Sequence, residues 1–343
     1  MIYSILLILV LWLQEDATKE ILLKITSMED LRLSVPEMIT SKSDMRQWSR
    51  VQKSLGKIVA LVPTMGFLHD GHLSLIREAK AHASTVVVSI YINPSQFARN
   101  EDLSTYPSNL EVDLQKLTAI GGVSAVFCPE NIYETASGET KDGRSEERGD
   151  LVSCLEEDGG SGHETWVQVE RLSKGLCGKS RLVFFRGVTT VVTKLFNVVE
   201  PDVAIFGKKD YQQWKVITRM VRDLDFPIKI IGSDIVREAD GLAMSSRNVR
   251  LTPQEREKAL SINQSLSQAK CAAEDGQHSC KKLIGLVVEK IIEAGGEVDY
   301  VEVVDQDYLE VVEKIAKKPV VMCLAAWFGT VRLIDNMEIH IPQ

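Results

Sequence analysis

No CxxC pair occurs anywhere in the 343 residues, and the six cysteines, Cys128, Cys154, Cys177, Cys271, Cys280 and Cys323, lie far apart. Small secreted domains carry dense disulfide frameworks and zinc sites usually show close pairs, so this scatter speaks against both and reads as reduced thiols. Positive charge is also short: 40 Lys and Arg against 48 Asp and Glu leave a net charge of −8. A broad phosphate-neutralising surface is therefore missing, which argues against nucleic-acid binding and leaves room only for a local basic pocket. The apolar run "MIYSILLILVLWL" that opens the chain stops at 13 residues. A stable membrane span needs roughly 20. The run resembles the apolar region of a signal peptide, yet no Lys or Arg precedes it and "QEDATKE" is a poor cleavage site. Residues 1–34 are thus read as a targeting leader or an extension outside the fold, and the remainder as cytoplasmic. No internal repeat is found.

What is present is an ordinary globular composition, 44% apolar and 26% charged, in a chain longer than one compact core usually is. Past the leader, "SKSDMRQWSRVQKSLG" reads as a helix, "KIVALVP" as a strand and "LSLIREAKAHA" as a helix. "STVVVSIYIN" is a continuous β-branched run, which predicts a strand buried on both faces and hence parallel. Further strands, "VSAVFCP", "DVAIFG" and "IKIIGS", alternate with helices at "EVDLQKLTAIGG", "TTVVTKLFNVVEP" and "DYQQWKVITRMVRDLD". Such alternation predicts an open α/β, Rossmann-like parallel sheet over 35–233. Residues 135–164 are acidic, rich in Gly and Ser and nearly free of large apolar side chains, and read as a flexible surface insertion in which Cys154 and His163 carry no catalytic role. Residues 234–343 read as a smaller α+β lid domain. It contains helices beginning at "TPQEREKALSINQSL" and "CKKLIGLVVEKIIEAGG", strands "DYVEVVD" and "VVMCLAAWF", and a helical segment between those strands.

Four stretches carry candidate chemistry. In "LVPTMGFLHDGHLSLI" a strand passes through Pro63, Thr64, Met65 and Gly66 into a helix, with His69 and His72 on either side of Gly71. A helix N-terminus at a strand's carboxyl end is an anion site, because free N–H groups and the helix dipole point there. Metal ligation lacks a third ligand with convincing spacing, since His82 lies on a later turn. Core histidines are the other alternative, and the favoured reading is phosphate. "FGKKD" repeats the architecture: Gly207, then Lys208 and Lys209 as point charges for phosphate, then Asp210 as an N-cap, against the alternative of a solvated loop. In "READGLAMSSRN", Met244, Ser245, Ser246 and Arg247 offer hydroxyls and a guanidinium to a polyphosphate, or cap a helix. "YINPSQF" presents Asn93 and Gln96, amides suited to a small polar substrate, or marks a turn.

Taken together these stretches, with "FFRGVTTVVTKLFNVVEPDVAIFGKKDYQQ", "VREADGLAMSSRN" and "VRLIDN", resemble the pantothenate synthetase (pantoate–β-alanine ligase) family. That family falls within the HxGH adenylyl-transferring Rossmann superfamily, and the wording is similar to its plant branch. The resemblance spans about residues 43–339. It implies a two-step reaction in which pantoate is adenylated by MgATP and the adenylate is then attacked by β-alanine, giving pantothenate, AMP and pyrophosphate. It implies that residues 65–72 form the ATP-binding turn, with His69 on phosphate and His72 as proton donor. Lys209 and Arg247 join them as catalytic groups, and residues 207–210, Val236 and residues 244–247 as further ATP contacts. Gln96 and Gln213 are implied to hold pantoate, with Asn93 and Tyr106 in support. Mg2+ is implied as a cofactor, with Asp113 its one candidate protein contact because Val112 stands where some members have a second acid. A homodimer through the N-terminal domain is implied as well. Phe184-Phe185 departs from the His-Phe of many members, so no role for that histidine is carried over.

Overall fold

The computed structural model describes residues 35–98, 101–133 and 163–341. The expectations for the leader at 1–34 and for nearly all of the 135–164 insertion lie outside the described residues. In chain order the first part comprises β1 (Glu37–Ile39), α1 (Lys42–Ser54), β2 (Val59–Thr64), α2 (Asp70–His82), β3 (Thr85–Ile90), α3 (Leu110–Ile120) and β4 (Ala125–Phe127). It continues with α4 (Cys177–Ser180), α5 (Phe184–Val199), β5 (Val203–Gly207), α6 (Tyr211–Asp223) and β6 (Lys229–Ser233). The strands form one parallel sheet in the order β1-β4-β3-β2-β5-β6.

Alternation along each buried strand divides its side chains between two cores. Val59, Leu61 and Val87 face one way, toward Met45 of α1, Val192 and Phe196 of α5, and Ile217 of α6. Ala60, Val62, Val86 and Val88 face the other way, toward Ile76 of α2 and Leu117 of α3. β3 is buried at every position, as its unbroken apolar run predicts for a central parallel strand. From β2 the chain builds outward through β3 and β4, and from β5 in the opposite direction through β6. β2 and β5 are therefore the switch point of the sheet, where ligands gather at strand carboxyl ends.

The C-terminal part contains α7 (Pro253–Glu274), α8 (Cys280–Glu293) and an antiparallel sheet of β7 (Glu297–Asp305), β8 (Val320–Phe328) and β9 (Val331–Ile339). α7 and α8 cover one sheet face through Ile262, Leu266, Val287 and Ile291 packed on Val303, Met322 and Leu324. The other face, with Val304, Val321 and Cys323, packs on Leu176 and Tyr211 of the first part.

Two expectations need correction. No helix lies between β7 and β8. Asp305 instead accepts the N–H groups of Asp307, Tyr308 and Glu310, and an isolated bridge joins Val304 to Val311, so the backbone is satisfied as a turn. The "VRLIDNMEI" stretch, which carried no strand expectation, is β9, paired along its length to β8. Among the described residues no helix is long and apolar enough to cross a membrane.

Candidate active site

The turn after β2 is clamped from behind. Gly66 has φ +82° and Phe67 φ +51°, which directs the amides of Phe67 and Leu68 away from the cleft. Both donate to Asp113, to Oδ2 and Oδ1 respectively, at 2.7 Å each, and Lys116 donates to the Leu68 carbonyl at 2.5 Å. Asp113 is 1% exposed and forms no part of the cleft wall. Here Asp113 accepts two backbone amides, a bracing role beside the metal contact that the resemblance implies. The first turn of α3 aims the carboxylate inward, where each oxygen holds a backbone amide.

His69 is the N-cap of α2, and its N–H donates to His72 Nδ1 at 3.3 Å. The two rings lie 4.0 Å apart, tilted by 36°. A Cβ on residue 71 would fall 2.8 Å from two atoms of the His69 ring, so glycine is what lets that ring lie over the first helical turn. Burial, reinforced by the Lys209 and Lys116 ammonium groups, lowers the His69 pKa to about 4. Burial together with His69, Lys209 and Lys116 pushes His72 well below its ordinary value. Both rings are thus neutral at pH 7. Because His72 Nδ1 accepts from a backbone amide, the proton is assigned to Nε2, which becomes a hydrogen-bond donor. The positive charge of the site comes from other residues.

The turn after β5 is a single 3₁₀ turn, Lys208–Asp210, that leads into α6. Lys209 and Asp210 line the cleft, whereas Lys208 does not. The Lys208 ammonium pairs with Asp234 at 2.7 Å and Glu338 at 3.7 Å. The turn is held from the C-terminal sheet: Asn336 Nδ2 of β9 donates to the carbonyls of Lys208 and Lys209 at 2.8 and 3.0 Å. On α6, Gln213 faces the cleft. Its neighbour Gln212 is committed to the Leu172 and Gly175 carbonyls at 2.8 and 2.7 Å.

The third wall is residues 244–247, where the capping alternative is seen and does not take the residues out of the cleft. Ser245 caps the 3₁₀ helix Ser246–Arg250 by accepting the Arg247 N–H, and it also lines the cleft. Ser246 Oγ donates to the Phe67 carbonyl at 3.2 Å, tying this loop to the histidine turn, and the Met244 N–H donates to the Val236 carbonyl at 3.0 Å. Arg247 makes a bidentate pair with Asp102 at 2.8 and 2.9 Å. Arg250 shares the same carboxylate at 2.5 Å, and the Arg247 guanidinium lies 5.1 Å from the Tyr106 ring centre. Burial opposes the Arg247 charge, but the bonds and charge of Asp102 outweigh it and hold the pKa above its ordinary value. Burial likewise opposes the Asp102 charge, and the two arginines overcome it.

These walls enclose a cleft of about 940 Å³. Pro63, Thr64, Met65, His69, Gly71 and His72 meet Gly207, Lys209, Asp210, Gln213, Val236 and residues 244–247 there, with Asn93, Gln96 and Tyr106 alongside. Of the expected site residues, Gly66, Lys208 and Asp113 are not brought to the wall. Phe184 occupies the position of the departed histidine and lies 3.8 Å beneath the Arg181 guanidinium, which Glu101 also holds. Sequence reading missed Asp102 and Asn336; they lie inside "EDLSTYP" and "VRLIDN", where an acid or an amide carries no spacing signal of its own. Donors from three elements line one cleft, and the amides of Gln96 and Gln213 line it with them. The arrangement suits a polyphosphate held beside a small polar acid.

Comparison with known proteins agrees. The family model for pantoate-beta-alanine ligase matches residues 37–338. A Lotus japonicus pantoate–β-alanine ligase is 64% identical over 308 residues, covering 89% of this chain and 99% of the relative. One from Arabidopsis thaliana is 60% identical over 310 residues, with the same coverage. The solved pantothenate synthetase of Thermus thermophilus superposes with a TM-score of 0.75 at 34% identity, covering 89% of this chain and 99% of that one. A Francisella tularensis pantoate–β-alanine ligase, complexed with β-γ ATP and β-alanine, gives a TM-score of 0.65 at 31% identity, covering 88% and 97%.

Proposed function

The chain belongs to the pantoate–β-alanine ligase family, and from that premise we propose how its cleft joins (R)-pantoate to β-alanine at the expense of ATP. In the first step a pantoate carboxylate oxygen attacks the α-phosphorus of MgATP. The bond to the bridging oxygen breaks and pyrophosphate leaves. In the second, the β-alanine nitrogen attacks the acyl carbon of the adenylate, loses a proton and expels AMP. Catalysis of this kind rests on positioning and on stabilising charge that develops on phosphate oxygens.

The observation that carries the reading is the meeting of His69, His72, Lys209 and Arg247 across the β2–β5 switch point, beside Gln96 and Gln213. Lys209 and Arg247 supply the fixed charge. His69 and His72, neutral before ligand arrives, donate hydrogen bonds to the triphosphate, and the growing negative charge of departing pyrophosphate raises their basicity so that His72 serves as proton donor. Residues 65–72, the HxGH turn, together with residues 207–210, Val236 and residues 244–247 hold ATP, with Lys209 and not the ion-paired Lys208 as the charge nearest the phosphates. Gln96 and Gln213 hold pantoate, with Asn93 and Tyr106 behind them. Mg2+ enters on the ATP phosphates as part of the substrate, as is usual for an ion that keeps several waters and binds through phosphate oxygens. Residues 234–343 act as the lid over residues 35–233. The reading includes a homodimer through the N-terminal domain and a cytoplasmic location, checked by light scattering and by cell fractionation.

The test is AMP release from ATP with pantoate and β-alanine supplied singly and together. AMP that depends on both acids is expected, with ATP–pyrophosphate exchange that needs pantoate alone. AMP release independent of either substrate would overturn the assignment.

A further inference from the structure

Gln96 is buried, and its amide is oriented by a relay that ends outside the cleft. The relay begins with an atom whose role admits no choice: the Gly187 carbonyl of α5 can only accept. Asn93 Nδ2 lies 3.3 Å from it and 3.0 Å from Gln96 Oε1. The Asn93 nitrogen therefore faces both, and its oxygen faces the opposite way. There Oδ1 meets the Tyr133 hydroxyl at 2.8 Å and Ser95 Oγ at 3.0 Å, and those two hydroxyls are themselves 2.7 Å apart. However the two hydroxyl protons are shared out within this trio, Asn93 Oδ1 accepts.

With its oxygen held by Asn93, Gln96 turns its nitrogen toward the cleft. Nε2 lies 3.4 Å from the Met65 thioether sulfur, a weak acceptor that a ligand oxygen readily replaces. We propose that Tyr133 is a positioning residue for the acid substrate: through Asn93 it fixes the Gln96 amide so that N–H, and not C=O, faces the pantoate oxygens. Tyr133 has no place on the cleft wall and is 6% exposed. Its ring is set by His163 and Trp166, at centroid distances of 4.9 and 6.4 Å, and by the Lys194 ammonium at 5.1 Å. His163 thereby braces the relay and does not touch the cleft. A reversed Gln96 would present a carbonyl to a carboxylate, and a misdirected buried amide loses a hydrogen bond while adding a repulsive contact.

This inference rests on the reading of Gln96 as a pantoate contact, and the test separates the two. Tyr133→Phe keeps the ring and its packing and deletes only the hydroxyl. Its pantoate KM is expected to rise about fivefold, the size of one hydrogen bond, with kcat and the ATP KM within about twofold of the parent. In a Gln96→Ala background the same change should have no further effect on the pantoate KM, because the group it orients is gone. Asn93→Asp, which cannot donate to Gln96, should raise that KM further than Tyr133→Phe. If Gln96→Ala raises the pantoate KM and Tyr133→Phe does not, or if Tyr133→Phe raises all three substrate KM values in step, the relay is wrong. If Gln96→Ala itself leaves the pantoate KM unchanged, the Gln96 assignment has failed and the relay falls with it.

Discussion

The two turns that meet at the switch point look alike in sequence, each a strand followed by glycine, polar residues and a helix, yet they are held in opposite ways. The histidine turn is braced within its own domain: Asp113 and Lys116 of the next helix grip the backbone of Phe67 and Leu68. The lysine turn is braced from across the cleft by Asn336 of β9. The third wall is crossed too, since Asp102 of the first part holds Arg247 and Arg250 of the second. The backbone of the neutral donors is thus gripped mainly by the neighbouring helix, with one added bond from Ser246, whereas the charged groups are held by pairs between the first and the C-terminal parts. A site held in this way draws its neutral and its charged donors from contacts of different reach along the chain.

Five measurements break or sharpen this contrast. The largest effect is expected for His72→Ala, which removes a donor of the pre-built turn. Turnover should fall by roughly a hundredfold or more while the melting temperature stays nearly unchanged. Next come the two braces. Asp113→Asn sets an amide NH2 against one of two backbone donors and should cost about 1–3 kcal/mol of stability, seen as a lowered melting temperature. Asn336→Ala should leave stability closer to the parent and raise the ATP KM by about tenfold, because it frees the turn that carries Lys209. If Asn336→Ala melts earlier than Asp113→Asn with an unchanged ATP KM, the contrast between the turns is reversed.

Smaller again is Asp102→Asn. This ion pair is partly exposed, so its net worth is about 1 kcal/mol or less. A severalfold rise in the ATP KM is expected, shrinking as salt is added; an effect indifferent to salt would assign Asp102 to packing instead. The last measurement is a pH slope in the ligand-free protein. The folded-state pKa of His69 lies at about 4 and that of His72 is also depressed, below the roughly 6.5 of an unfolded chain. Between those values the unfolded state binds more protons, so the ligand-free protein should lose stability as pH falls from about 6.5 toward 4. His69→Gln should flatten that slope, and bound ATP should shift the window by favouring protonated rings.

Much of this was legible in the residues. The parallel sheet and the two strand-turn-helix units follow from local signals, because a buried strand and an amphipathic helix are written in periods of about 2 and 3.6, whereas Tyr106, Gln213 and Val236 came only from the family resemblance. The departures are of another kind. Lys208 and Lys209 are neighbours of the same type, and nothing local says that one meets Asp234 and Glu338 while the other faces the cleft. Nothing local to Asp113 says that it braces a backbone, since its partner Leu68 lies on a turn 45 residues earlier in the chain. The 306–319 segment has residues a helix tolerates, and the side chain of Asp305 settled it as a turn.

The order of strands, turns and helices, and the kinds of group delivered to the cleft, were thus contained in the one-dimensional pattern, because each depends on residues a few positions apart. Which side chain faces the ligand, which braces a backbone, and whether His69 and His72 carry charge were decided only in three dimensions. Burial and hydrogen-bond partners come from elements distant in the chain, and they determine both the direction of a donor and the cost of a proton.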